Sequence, residues 1–192
     1  MSTSSYVRRH IYKLEANTLF STRDLLNYGK RATIDQCLCR LVKDGKIVRL
    51  ARGLFRRQDY NSPLPSPLEV ATYKAKVFGK QLVAHDNEAV QTLTFVQQEN
   101  KIPTFIVSGR SSSFRFGKTI IHLKGSSAKK ILLGNTEEGL FARTLWLLGK
   151  RNCDTEKISL AIATSKGVNH KKLRQYNHLL PAWLSDNLHY HR

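Results

Sequence analysis

Two side chains suited to reading base edges, Gln36 and Arg40, stand four residues apart in the stretch KRATIDQCLCRLVKDGKIVRLARGLFRR, residues 30–57. On a helix that spacing places both on one face. Glutamine can pair bidentately with adenine and arginine with guanine. Thr33 and Lys43 share the face, and Lys43 is better suited to phosphate. Lys30 and Arg31 lie at the helix start, and Arg49, Arg52, Arg56 and Arg57 fall within nine residues after it. Cations so placed suit a phosphate backbone or a narrow minor groove. The bland alternative for the last four is an edge strand kept soluble by charge. The chemistry expected of these ten residues is recognition of double-stranded DNA. Asp35 is an acid on this basic surface, assigned here to the helix amino terminus and its dipole.

Other chemistry finds less support. Of the seven histidines, His170, His178, His189 and His191 crowd the last residues, with Asp186 as the nearby carboxylate. That set lacks metal-ligand spacing, so no metal and no cofactor is expected. Cys37, Cys39 and Cys153 form neither a disulfide framework nor a zinc pattern, and Cys37 and Cys39 read as small packing residues. The segment 108–113, SGRSSS, looks like a phosphate-cradling loop but leads from a strand into a hairpin, not into a helix. It is read as a turn exposing Arg110. The 14 acids include no paired carboxylates for general acid–base work. The expectation is a protein that is not an enzyme.

Positioning the DNA-reading residues requires a short helix and a hairpin. Ile34, Leu38, Leu41 and Val42 recur at helical spacing and make one apolar stripe. Asp44-Gly45 ends that helix, because glycine accepts left-handed geometry. Ile47–Leu50 and Gly53–Arg56 read as strands with Ala51-Arg52 at the tip, and Leu50, Leu54 and Phe55 close the hairpin onto the helices. The helix is expected to begin near Ala32-Thr33. Upstream, Ser4 or Ser5 can cap a helix to about Leu14, burying Val7, Ile11 and Leu14 and leaving Arg8, Arg9 and Lys13 outside. Phe20–Leu26 supplies a capping hydroxyl and another short helix, and Asn27-Tyr28-Gly29 a turn. Together these describe a winged helix-turn-helix.

Residues 58–67, QDYNSPLPSP, form a proline-rich boundary. The expected division is a winged helix-turn-helix DNA-binding domain over residues 1–60 and a basic α+β partner-binding domain over 61–192. In the second, Ser66-Pro67 starts a helix running to about Phe78-Gly79. A short strand at 80–84, a helix at 87–95 and a buried strand at 103–108 follow. Phe114–Phe116 and Thr119–Lys124 pair as a hairpin, where Arg115 and Lys118 are possible secondary contacts alongside Arg8, Arg9 and Arg110. Lys130–Leu133 is expected to extend the small antiparallel sheet. Helices then follow at 137–150, 154–165, 169–176 and 181–189, the first with acids at its start. The fold class is α+β.

Composition sets the frame. Of the 192 residues 41% are hydrophobic, which permits a packed core. The net charge of +18 implies an acidic polymer as partner. Residues 1–60 hold 13 Lys+Arg against 5 Asp+Glu, and the remainder 19 against 9, so both parts are basic. No apolar run reaches the ~20 residues of a membrane span, and MSTSSYVRRH lacks the apolar centre of a signal peptide. A cytoplasmic, nucleoid-associated bacterial protein with no membrane contact is expected.

Assembled in this order, the residues resemble the AbiEi family of antitoxins and their winged-helix relatives in bacteria. ATIDQCLCRLVKDGKIVRLARGLF, with its RL-RGLF hairpin, carries the likeness most specifically. SPLEVA, AHDNEAVQTL, PTFIVSGRSSSFRFGKTIIHLK and a helix ending in LG continue it over about residues 5–150. Gln91–Phe95 departs from the small-residue segment and LG pair of those relatives. The resemblance implies a transcriptional autorepressor bound to its own promoter, whose second domain counters a nucleotidyltransferase-type toxin with which it need not form a stable complex. Competing readings are a mobile-element regulator with no toxin, and an RNA-binding or ribosome-associated factor, since +18 suits RNA equally.

Overall fold

The structure, a computed structural model, describes residues 2–59, 61–83, 102–165 and 167–190. It is α+β, with two small sheets and a larger number of helices. Two compact units emerge: residues 1–80 together with Ser113–His122, and residues 81–112 together with Leu123–Arg192.

In the first unit, α1 (Thr3–Lys13) starts from Ser2, two residues before the expected cap, and buries Val7 and Ile11. A three-residue strand, β1 (Leu19–Ser21), leads into a 3₁₀ helix, Thr22–Tyr28. Ser21 and Asp24 close a reciprocal capping box there: the Asp24 carboxylate accepts from Ser21 N–H at 2.7 Å. Gly29 then permits a close approach, since a Cβ on it would lie 2.5 Å from Thr3 Oγ1. Helix α2 (Arg31–Lys43) buries Ile34, Cys37, Leu38 and Leu41. Gly45 ends it at φ 66, with Lys46 N–H donating to Leu41 O at 2.9 Å.

Strands β2 (Ile47–Ala51) and β3 (Leu54–Arg57) follow, and the sheet order is β1-β3-β2, all antiparallel. The tip is Arg52-Gly53, one residue later than expected, because Gly53 takes the positive φ of 72 that the turn requires. The sheet is covered on both faces. Phe20, Ile47 and Phe55 join the helix core with Ile11, Leu25 and Leu38. Leu50 and Leu54 pack instead against Val70 of α3 (Pro67–Val77), with Leu19, Val48, Tyr73, Phe114 and Phe116 around them. Helix α3 has the expected start, a Ser66–Glu69 capping box with proline in its first turn. The two hydrogen bonds from Ser66 pull the Glu69 carboxyl below the usual carboxylate range.

The second sheet runs β4 (Leu82–Val83), β5 (Thr104–Ser108), β7 (Thr119–Ser126), β6 (Ser112–Phe116), with β4 antiparallel to β5. Lys130–Leu133 does not extend it. Residues Ala128–Leu132 form a helical turn, α4, because Ile131 N–H is taken by Ser127 O at 3.2 Å and so is lost to any strand partner. Helices α5 (Glu137–Leu148), α6 (Thr155–Thr164), α7 (His170–Leu173), a 3₁₀ turn at Arg174–Leu179 and α8 (Ala182–Tyr190) belong to the second unit. Phe141, Ala142, Leu145, Cys153, Ile158, Leu173, Leu180 and Leu184 form its core. Arg143 is fully buried on α5 and donates to Gly134 O at 2.5 Å. Burial pulls its pKa down to about 10. The helix expected at 87–95, the departing segment Gln91–Phe95 and His191 lie outside the described residues. No helix among those described is long and apolar enough to cross a membrane.

Candidate functional site

The site is built from the side of α2 that the core leaves out. With Ile34, Cys37, Leu38 and Leu41 inward, Lys30, Arg31, Gln36, Arg40 and Lys43 are exposed and Thr33 is half-buried. Cys39 is exposed on the same side, a correction to its expected packing role. The helix begins at Arg31, so Asp35 belongs to its second turn and is no first-turn dipole partner. Its carboxylate accepts from Thr22 Oγ1 at 3.3 Å and lies 3.6 Å from Arg31 Nε. Asp35 therefore ties the 3₁₀ helix to α2.

Beside this face lies the hairpin, with Arg49 and Arg52 exposed. A groove runs between them, lined by Arg31, Asp35, Cys39 and Lys43 of α2 and by Arg49, Arg52 and Gly53 of the hairpin. An adjoining pocket is lined by Ser21, Thr22, Arg23, Arg31, Arg52, Gly53, Lys74 and Phe78. Arg31 and Arg52 line both. Six cations from four elements, Arg23, Arg31, Lys43, Arg49, Arg52 and Lys74, thus surround the two concavities at and beside the hairpin tip, Asp35 being the lone carboxylate among the lining residues. Such an arrangement attracts an extended polyanion and gives it both a helix face and a turn to lie against.

Two of the ten expected contacts do not belong to this surface. Arg56 is 3% exposed and donates from Nη1 to Pro63 O at 2.6 Å. Arg57 is half-buried and donates to Leu14 O. Both were expected on an open side of the hairpin, but the sheet has no open side at β3. Arg56 lies opposite Val48 and Leu19, on the face that Val70 of α3 helps to cover. Arg8 and Arg9 are exposed on α1, Arg9 with its guanidinium 5.2 Å from the Tyr6 ring centroid. Arg110 is exposed between β5 and β6, and Arg115 and Lys118 are exposed on the β6–β7 hairpin. None of these five lines the groove or the pocket.

Sequence reasoning missed Arg23 and Lys74. Arg23 is held in place by donating to Val77 O at 3.0 Å, with its guanidinium 4.6 Å from the Phe78 ring centroid. The Lys74 ammonium stands 4.6 Å from the Phe114 ring and 5.8 Å from that of Phe78. Burial pulls its pKa below the ordinary lysine range. Tyr73 beside it donates to Asp24 at 2.9 Å, and burial, then that bond, pushes the phenol up. The available signal was weak: cations far apart in sequence, on elements assigned to different domains.

A family model described as a family of unknown function, DUF6088, matches residues 7–173. The chain belongs to DUF6088. The match spans both compact units, so the groove and pocket lie within the family's shared region. Comparison with curated proteins returns no match. Among the described residues of this DUF6088 chain, no group of three or more His, Cys, Asp or Glu is placed to hold a metal ion.

Proposed function

We propose that the first unit is a winged helix-turn-helix that binds double-stranded DNA, and that the chain acts as a transcriptional repressor at its own promoter. The observation that carries this reading is the groove between α2 and the hairpin, where Arg31, Lys43, Arg49 and Arg52 face a single carboxylate. In this reading Gln36 and Arg40 of α2 read base edges while Arg49 and Arg52 meet phosphate or the minor groove. Binding of the full chain to a labelled fragment of its own promoter, at two salt concentrations and against competitor DNA, tests it. Promoter and random duplex binding alike would end the repressor reading. Arg40→Ala should relax preference at one base pair, costing about 1–3 kcal/mol there.

The antitoxin role is proposed on the resemblance to AbiEi proteins alone. It requires a nucleotidyltransferase gene beside this one. Co-expression of the full chain with that neighbour should relieve growth arrest, and arrest that persists would remove the antitoxin reading while leaving DNA binding intact.

A further inference from the structure

The pocket beside the groove has a composition that general DNA attraction does not require. Arg23 comes from the 3₁₀ helix, Arg52 from the hairpin tip and Lys74 from α3, and Arg31 of α2 completes the lining. Among the described residues, Arg23, Arg52 and Lys74 form no ion pair; Arg31 is the one partly neutralised, by Asp35. Arg23 is fixed by Val77 O and the Phe78 ring, so its guanidinium is positioned before any ligand arrives. Lys74 is half-buried against two aromatic rings. Of the four only Lys74 is half-buried, while Arg23, Arg31 and Arg52 are exposed, and an anion placed among them would offset their mutual repulsion. The held Arg23 guanidinium, the Phe78 ring and the neighbouring cations suit a compact anion with several acceptor oxygens, the chemistry of phosphate.

We propose that this pocket takes one phosphate group, presented by the backbone of the duplex that the first unit binds, with Lys74 of α3 as a contact outside the helix-turn-helix and wing. The inference rests on the DNA-binding reading above. It makes α3 a part of the binding unit, which explains why a helix after the proline-rich stretch packs on the sheet through Val70.

Salt dependence tests it on the full chain. The slope of log affinity against log salt for a duplex should fall by about 1 in Lys74→Gln, and by about 1 in Arg52→Gln. Because the two share one phosphate, the double variant should lose little more slope than either alone. Lys74→Arg should restore the slope, and melting curves of each variant check that it folds. Full duplex binding with an unchanged slope in folded Lys74→Gln would overturn the pocket and leave the DNA reading standing. Additive slopes would overturn the shared phosphate. A second arm uses tripolyphosphate as probe and thermal shift as readout. If wild type binds no duplex but is stabilised by tripolyphosphate, and Lys74→Gln is not, the function proposed above fails while a pocket for free phosphate stands. No response to either probe would overturn both.

Discussion

Arg56→Ala should cost stability and spare DNA binding, whereas Arg52→Ala should do the reverse. Arg56 is buried, and its Nη1 donates to Pro63 O at 2.6 Å. Losing a hydrogen bond from a charged group costs about 1.5–3 kcal/mol. The two buried methylenes lost beyond Cβ add about 1.6 kcal/mol at ~0.8 each. Arg56 Nε has no hydrogen-bond partner among the described residues, and removing it returns about 1 kcal/mol. The net loss is about 2–4 kcal/mol, or roughly 4–15 °C in melting temperature for a chain of this length. Arg56→Met keeps the stem and should recover about 1.5 kcal/mol. Arg52 is exposed at the tip. Its removal should change stability by less than about 0.5 kcal/mol, while duplex affinity falls and the salt slope drops by about 1. Calorimetric melting and fluorescence anisotropy on a labelled duplex measure the two effects. If Arg56→Ala melts within a degree or two of wild type and loses salt slope, Arg56 is a DNA contact and the buried assignment is refuted.

Three further outcomes follow from the same geometry. Gly29→Ala would drive a methyl into Thr3 Oγ1 and Cγ2, at 2.5 and 2.8 Å, costing about 1–3 kcal/mol; Thr3→Ala should restore part of it, and strict additivity in the double variant would rule out the clash. Hydrogen bonds from Ser66 lower the Glu69 carboxyl in the folded chain, so their stabilisation is complete above the unfolded value of about 4.3 and is lost as pH falls through the folded one. The gap in melting temperature between wild type and Glu69→Ala should therefore close on acidification, and a gap that widens would contradict the capping box. Maleimide should modify Cys39 quickly and the buried Cys37 and Cys153 slowly; bound duplex should protect Cys39, and undiminished labelling at saturation would move the DNA off this face of α2.

Local order was legible wherever one segment carried its own signal. The stripe Ile34, Leu38, Leu41 and the stop at Gly45 define α2 without outside help. Ser66, Pro67 and Glu69 likewise specify the start of α3. Strand β1 was missed because three residues are too few for alternation to register, and its hydrogen bonds come from β3, more than thirty residues away. Lys130–Leu133, expected to extend the sheet, lies instead in a helical turn in which Ile131 N–H donates to Ser127 O.

The sequence by itself determined which side of α2 faces out, because helical periodicity assigns Gln36, Arg40 and Lys43 opposite to Ile34, Leu38 and Leu41. It also determined that cations would crowd the hairpin. Which of those cations remain available was decided only by tertiary structure. A strand's own alternation separates two faces but does not say whether either meets solvent. Here Val70 of α3 packs on the second face and Lys74 of the same helix joins Arg23 and Arg52 at the pocket, while Arg56 is buried with its guanidinium on Pro63 O.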